Sequence, residues 1–250
     1  MTTTPHRWES IEIDGRSADV FEPGGTPAGA VIYLHGRALD RLVEEEVFTR
    51  ELAAHNLACV APHGGRCWWL ETPCRQFDEV VAPLTWVRQT LTAWIDDRWG
   101  FHPPHIGLLG VSMGGQGALQ LAYRHARQFP VVAAIAPAID FHRMHGQGWE
   151  LDEMFADPER ARQQTVTLHL HPLNWPTHQL FVCDPSDLDW QEGCERLASK
   201  LASMGIPFEH DLTTSAGGHS WEYYRAVAPR CIEFVARGLE AIRSQRPRSH

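Results

Sequence analysis

The chain alternates short apolar runs with longer segments in which apolar positions recur every three or four residues. The short runs predict buried strands and the periodic segments predict helices. Strands are predicted at 17–22, 30–34, 57–62, 105–111, 131–136, 178–183 and 207–212. Helices are predicted at 42–55, 77–99, 114–127, 190–204 and 221–243, and Pro83 predicts either a kink or the true first turn of the second helix. This order indicates an α/β protein with a mainly parallel sheet covered by helices on both faces.

The alternation of strands and helices lapses between about residues 140 and 176. This stretch carries charged and aromatic patches with only short helical signals. A long irregular segment inside a compact domain usually forms a lid or a binding loop. We therefore expect residues 1–250 to form one domain, with a cap-like insertion at about 140–176 and a frayed tail at about 244–250.

Composition narrows the classes of partner. The 22 Lys and Arg against 31 Asp and Glu give a net charge of −9, which disfavours binding to nucleic acid. No apolar run approaches the ~20 residues that span a bilayer, and the first residues lack the apolar core of a signal peptide. Six cysteines are scattered without a C-x-x-C pair, as is typical of reduced thiols. We expect a cytoplasmic protein that binds neither nucleic acid nor membranes.

A candidate nucleophile lies where a predicted strand meets a predicted helix. Residues 110–114 read GVSMG and match the pattern G-x-S-x-G. A serine on such a tight turn projects its hydroxyl above the sheet, and the flanking glycines let the two backbones approach without a Cβ clash. The context, more than the pentapeptide, predicts that Ser112 is a nucleophile.

A serine hydroxyl is a weak nucleophile, so this hypothesis requires a histidine base and a carboxylate that orients the base, in the chain order Ser, Asp, His. His219 follows the last predicted strand, in a loop where two glycines allow its ring to reach Ser112. The alternative is a loop histidine that only caps the next helix. We favour His219 as the base.

Three carboxylates follow the strand predicted at 178–183 and compete for the role of the acid. Asp184 lies nearest the strand end, and Asp189 is placed to cap the helix that follows. Asp187 lies between them on the loop, with room to turn inward. We favour Asp187 as the residue that holds the tautomer of His219, with Asp184 as the second choice.

Acyl transfer also requires backbone donors for the developing oxyanion. Met113 provides one N–H by its position directly after Ser112. The loop that follows the strand at 30–34 should provide the second, and we assign it to Arg37, with Ala38 as the alternative. The side chain of Arg37 either meets an anionic group of the substrate or lies in solvent.

Several segments together resemble a known family. They are residues 34–36, the aromatic loop 64–69, the turn around Ser112, the loop 183–187 and the loop 217–221. With them the sequence resembles the α/β-hydrolase superfamily, and within it the putative-esterase family of S-formylglutathione hydrolase (esterase D), feruloyl and acetyl esterases and mycolyl transferases. In those esterases a C-G-x-x-D-like loop presents the acid, which corresponds to Asp187 here, although Asp184 replaces the glycine.

This resemblance implies the α/β-hydrolase fold, and we expect the cap-like insertion to follow its sixth strand. It also implies hydrolysis of a small-molecule carboxylic ester through an acyl-serine, without metal or organic cofactor. An acyltransferase with the same triad and a non-catalytic binding protein on the same fold are the alternatives. The sequence leaves the oligomeric state open, a homo-oligomer included.

Aromatic residues near the expected site predict the walls of a modest cavity that accepts a short acyl group. Core packing is the alternative for the Trp pair at 68 and 69, and the insertion would contribute Trp149 and Phe155. The residues expected to line the substrate cavity are His35, Trp68, Trp69, Trp149 and Trp221. A metal site at His169, His171 and His178 is disfavoured, because no other ligand completes a tight set there.

Overall fold

A computed structural model describes residues 6–244. They build one eight-stranded sheet in the order β1-β2-β4-β3-β5-β6-β7-β8. The strands are β1 (Arg7–Ile13), β2 (Arg16–Glu22), β3 (Gly29–Leu34), β4 (Leu57–Pro62), β5 (Ile106–Val111), β6 (Val131–Ile135), β7 (His178–Val182) and β8 (Glu209–Asp211). Strand β2 pairs antiparallel with β1 and β4, and every other pair is parallel.

The structure has helices in all five predicted segments and three further short helices in the segment predicted to be irregular. They are α1 (Glu46–Ala54), α2 (Pro83–Trp86), α3 (Thr92–Trp99), α4 (Met113–Arg124), α5 (Phe141–Met144), α6 (Glu150–Met154), α7 (Pro158–Arg162), α8 (Gln191–Ser203) and α9 (Trp221–Ser244). A π-helical turn at Val87–Leu91 joins α2 to α3. Between residues 6 and 244 there is no helix long and apolar enough to cross a lipid bilayer.

The central strands of the sheet correspond to the continuous apolar runs of the sequence. All residues of β3, β4, β5 and β6 are buried, because parallel strands are covered on both faces. Helix α4 is buried along nearly its whole length against this sheet. The segment between β5 and α4, which carries Ser112, therefore joins two buried elements.

Strand β1 was missed by the sequence analysis. It forms a hairpin with β2 through Asp14 and Gly15, whose φ angles are 50° and 71°. Asp-Gly is a typical two-residue hairpin turn, since both positions require positive φ. The signal was therefore present in the sequence.

The helix expected at 77–99 begins only at Pro83, which occupies its first turn. Proline is tolerated there because the N–H it lacks would have no intrahelical partner. Upstream, the side chain of Asp78 accepts the amides of Val80 and Val81 at 2.8 and 2.9 Å, which favours a turn over a helix.

The insertion follows β6, as expected, and contains the short helices α5, α6 and α7 and a 3₁₀ turn at Val166–Leu168. Leu151, Ala161 and Val166 are fully buried, so the insertion packs into the body of the protein. That the insertion acts as a cap over the active site stays a prediction. Of the tail predicted at 244–250, only Ser244 is among the described residues, and it ends α9.

Candidate active site

Ser112 occupies a strained turn between β5 and α4, with φ 52° and ψ −118°. A Cβ atom at position 114 would lie 1.9 Å from the carbonyl oxygen of Leu34, and one at position 110 would lie 2.3 Å from that of Gly114. Only glycine fits at either position. The backbone angles of Ser112 itself are rare for a residue other than glycine. Such a conformation costs about 1–3 kcal/mol and persists only where the surroundings enforce it. The two glycines therefore set the position of the Ser112 hydroxyl.

The structure brings together three side chains that are distant in sequence. The Oγ of Ser112 lies 3.0 Å from Nε2 of His219, whose Nδ1 lies 2.8 Å from Oδ2 of Asp187. The carboxylate of Asp187 is buried, and its Oδ1 accepts the amides of Asp189 and Trp190 at 3.1 Å each. These amides fix the carboxylate, so that Nδ1 of His219 is its N–H donor and Nε2 is free to accept.

Asp184, the second choice for the acid, does not contact His219 and instead joins two loops. One oxygen accepts the amides of Ala216 and Gly218 at 2.6 and 3.0 Å. The other accepts the Ser186 amide at 2.7 Å and the Ser215 hydroxyl at 3.1 Å. Burial alone would raise the pKa of Asp184, but these donors outweigh it and lower the pKa to about 2. Asp184 thus anchors the loop that carries His219.

Asp189, the third carboxylate, does not cap the helix that follows, in contrast to the prediction. Helix α8 instead begins at Gln191, and the amide of Trp190 is taken by Asp187. Asp189 is one of the residues that line the cavity in front of Ser112.

The loop expected to supply the second oxyanion donor lies beside Ser112, and Gly36, Arg37 and Ala38 line the same cavity. The guanidinium of Arg37 forms a bidentate ion pair with Glu150 of the insertion, at 2.9 Å for each bond. This side chain is therefore committed to a protein carboxylate. Met113 is the first residue of α4, so its N–H has no acceptor within the helix.

Glu150 joins the insertion to both loops that flank the nucleophile. Besides Arg37, it accepts the indole N–H of Trp68 at 3.2 Å and faces the guanidinium of Arg66 at 3.8 Å. Burial would raise the pKa of Glu150, but the bonds from Arg37 and Trp68 lower it. No local pattern in the sequence predicts this contact, because the two residues are 113 positions apart.

The cavity over Ser112 has a volume of about 300 Å³, and five aromatic residues contribute to its lining. The rings of Trp68 and Trp149 stack, with centroids 5.8 Å apart and an angle of 18°. The aromatic lining consists of Trp68, Trp149, Trp190, Trp221 and Tyr224. Three of these were expected, whereas Trp190 and Tyr224 were missed although each lies within five residues of Asp187 or His219.

Two residues expected in the lining lie elsewhere. Trp69 is fully buried, donates its indole N–H to the carbonyl of His35 at 3.1 Å, and packs against Gly117 of α4. His35 faces a neighbouring cavity and accepts the amide of Gly64 at 3.0 Å. Burial lowers the pKa of His35 to about 4, which keeps the ring neutral. Both residues therefore hold the start of the loop at 36–38, Trp69 through the carbonyl of His35 and His35 through the carbonyl of Gly36.

Phe155, the other residue expected from the insertion, is also buried and lies outside this lining.

Two of the three histidines named as possible metal ligands have other partners. The Nε2 of His169 lies 2.7 Å from the guanidinium of Arg124, and Nδ1 of His171 accepts the amide of Leu173 at 3.1 Å. Within residues 6–244 there is no group of three or more His, Cys, Asp or Glu side chains placed to hold a metal ion.

Comparison with known proteins places this chain in a family. A family model described as "Putative esterase" matches residues 18–229. A search of curated proteins by sequence found no match.

Solved structures share the whole fold at low sequence identity. An S-formylglutathione hydrolase from Agrobacterium tumefaciens is 17% identical with a TM-score of 0.75, over 94% of each chain. A ferulic acid esterase is 17% identical with a TM-score of 0.71, over 94% of this chain and 98% of that chain. A fluorophosphonate-binding serine hydrolase of Staphylococcus aureus is 15% identical with a TM-score of 0.71, over 93% and 99%.

The family match covers most of the described sheet and both ends of the Ser112 to His219 contact. The neighbours show the α/β-hydrolase fold, as the sheet order does. The chain therefore belongs to the Putative esterase family and is a carboxylic ester hydrolase with the α/β-hydrolase fold.

Proposed function

We propose that the protein hydrolyses esters of short acyl groups through an acyl-serine intermediate, with Ser112 as nucleophile, His219 as base and Asp187 as the orienting acid. One observation carries this proposal: an unbroken series of hydrogen bonds from the Ser112 hydroxyl through His219 to the buried Asp187. The Ser112 end of the series lies in a cavity lined by aromatic residues, whose volume of about 300 Å³ suits a small ester.

In the first half of the reaction, Oγ of Ser112 attacks the ester carbonyl while Nε2 of His219 takes its proton. Asp187 stabilises the resulting imidazolium without itself taking the proton. The amides of Met113 and Arg37 hold the oxyanion. The tetrahedral intermediate then collapses, Nε2 protonates the leaving alcohol, and the acyl group remains on Ser112.

In the second half, a water molecule gives a proton to Nε2 and its oxygen attacks the acyl carbon. The bond from the acyl carbon to Oγ breaks, and the proton on Nε2 returns to Ser112. The acid product leaves, and the enzyme is restored without any external cofactor.

Covalent labelling tests the nucleophile directly. A fluorophosphonate should form one adduct on Ser112, because only an activated serine displaces fluoride from phosphorus at a useful rate. Mass spectrometry of the intact protein and of its peptides would locate the adduct. The variant Ser203→Ala, which alters an exposed serine at the end of α8, should label like the native protein. A native protein that stays unlabelled would contradict the assignment.

The charge around the cavity predicts a preference among alcohol groups. Asp40 and Asp189 line the cavity, and neither has a salt bridge among the described residues, whereas the cation of Arg37 is neutralised by Glu150. Asp40 accepts the indole N–H of Trp221 at 2.9 Å, so one carboxylate is held at the aromatic wall. Aromatic faces and carboxylates both attract an organic cation.

We therefore expect acetylcholine to be cleaved with a kcat/KM about tenfold above that of its neutral isostere, 3,3-dimethylbutyl acetate. The variant Asp189→Asn should reduce this ratio, and 1 M salt should do the same by screening the charge. Asp97→Asn, a change on the exposed side of α3, is the matched control. Equal kcat/KM values for the two esters in the native protein would refute the preference.

A further inference from the structure

The Nε2 atom of His219 has more hydrogen-bond donors than the proposed reaction needs. Besides Oγ of Ser112 at 3.0 Å, it faces the hydroxyl of Tyr224 at 2.9 Å and the indole N–H of Trp190 at 3.3 Å. Because Nδ1 of the neutral ring donates to Asp187, Nε2 offers a single lone pair. The three donors therefore share one acceptor.

Tyr224 and Trp190 differ in what they can do once Nε2 is protonated. An indole N–H only donates, so it gains nothing from a protonated nitrogen. A phenol both donates and accepts, and its hydrogen rotates about the C–O bond. Of the two residues, only Tyr224 can therefore accept a hydrogen bond near Nε2 as well as donate one.

The surroundings keep the phenol in its protonated form and next to the reacting atoms. Tyr224 is buried, and burial raises the pKa of its hydroxyl above the ordinary value. The residue also lines the cavity that contains Ser112. Its hydroxyl thus lies beside the place at Nε2 that a hydrolytic water must occupy.

We propose that Tyr224 is a further catalytic residue, whose hydroxyl binds the hydrolytic water at Nε2 of His219 when the acyl-serine is broken down. This inference rests on the proposed function. The water gives one proton to Nε2 and directs its second O–H to the oxygen of Tyr224, which leaves a lone pair of the water facing the acyl carbon. The phenol keeps its own proton throughout, so no net proton passes through Tyr224.

The ring of Tyr224 has a separate, structural part to play. It packs edge-to-face on His219 and on Trp221, with centroid distances of 5.5 and 5.3 Å. Phenylalanine would keep both contacts. The variant Tyr224→Phe therefore removes the hydroxyl with little change to the packing around His219.

The chain offers a matched control at the next position. Tyr223 is also buried, but its hydroxyl has no hydrogen-bond partner among the described residues. Removing an unpaired buried hydroxyl is expected to be neutral or stabilising. Tyr223→Phe should therefore leave both the activity and the unfolding temperature close to those of the native protein.

Stopped-flow kinetics with p-nitrophenyl acetate separate the two half-reactions, since nitrophenolate leaves without needing a proton. We expect Tyr224→Phe to release one equivalent of nitrophenolate in a burst, followed by a steady rate about 10- to 100-fold below native. Mass spectrometry during the steady phase should find the acetylated enzyme. Tyr223→Phe should show neither change.

A steady rate for Tyr224→Phe equal to the native rate would overturn the proposal, as would a burst phase slowed as much as the steady phase. Ser112→Ala, measured in parallel, reports on the proposed function itself. If that variant kept its turnover, the nucleophile would be wrong. If it lost turnover while Tyr224→Phe behaved as native, only the role of Tyr224 would fail.

Discussion

Replacing Ser112 with alanine is expected to lower kcat by five to six orders of magnitude, since loss of the nucleophile in a Ser-His-Asp site costs about 10⁶-fold. The fold should survive, because the backbone bonds of this turn do not involve the hydroxyl. The amide of Ser112 donates to Ile135 at 2.8 Å, and its carbonyl accepts the amides of Gln116 and Ala138. Steady-state turnover of p-nitrophenyl acetate and thermal unfolding, measured on the same preparation, check both statements.

Ser203→Ala should retain native turnover in the same assay and thereby control for handling. The residual rate of ester hydrolysis by Ser112→Ala should still exceed the uncatalysed rate in water, because the oxyanion donors and the cavity remain. A loss of less than tenfold would mean that another group attacks the ester. A large fall in unfolding temperature would mean that the activity was lost with the fold.

Asp187→Asn is expected to lower kcat by about 10⁴-fold, the cost of the wrong histidine tautomer in comparable sites. An amide nitrogen in place of Oδ2 would donate to Nδ1 of His219, which would then carry its hydrogen on Nε2 and could no longer accept the proton of Ser112. The remaining oxygen can still accept the amides of Asp189 and Trp190, so the loop should persist. Turnover and thermal unfolding of this variant separate the two effects.

Asp184→Asn is the matched comparison, and it should give the opposite balance. Both of its oxygens accept N–H or O–H donors, so an amide nitrogen must face at least one donor. We expect a clear fall in unfolding temperature and a kcat loss of only about tenfold, since an unpaired buried donor costs about 1–3 kcal/mol. If Asp184→Asn showed the larger loss of kcat with an unchanged unfolding temperature, the two roles would be reversed.

The parts of this site that depend on neighbours in sequence were predictable. The buried strands appear as continuous apolar runs because both of their faces are covered, and the turn at Ser112 needs glycines two positions before and after. His219 was found because loops that follow strand ends meet at one edge of a parallel sheet. The distances of the Ser112, His219 and Asp187 side chains agree with that expectation.

Other parts depend on contacts between segments and carry no local signal. The choice between Asp184 and Asp187 rests on amides at residues 216 and 218, more than thirty positions away. Trp68 and Trp69 are adjacent and both have positive φ, yet one lines the cavity and the other packs under α4. The direction in which the backbone turns at these residues places one ring at the cavity and the other in the core. The composition of the segment does not predict that direction.

The ion pair between Arg37 and Glu150 links the position of the insertion to the position of the loop at 36–38. Glu150 belongs to the insertion, and Arg37 belongs to the loop assigned to the oxyanion. A bulky ester that pushed the insertion outward would also drag this loop away from the carbonyl it should stabilise. Such a compound would bind in the cavity without being hydrolysed. The enzyme would then discriminate against large esters through a low kcat more than through weak binding.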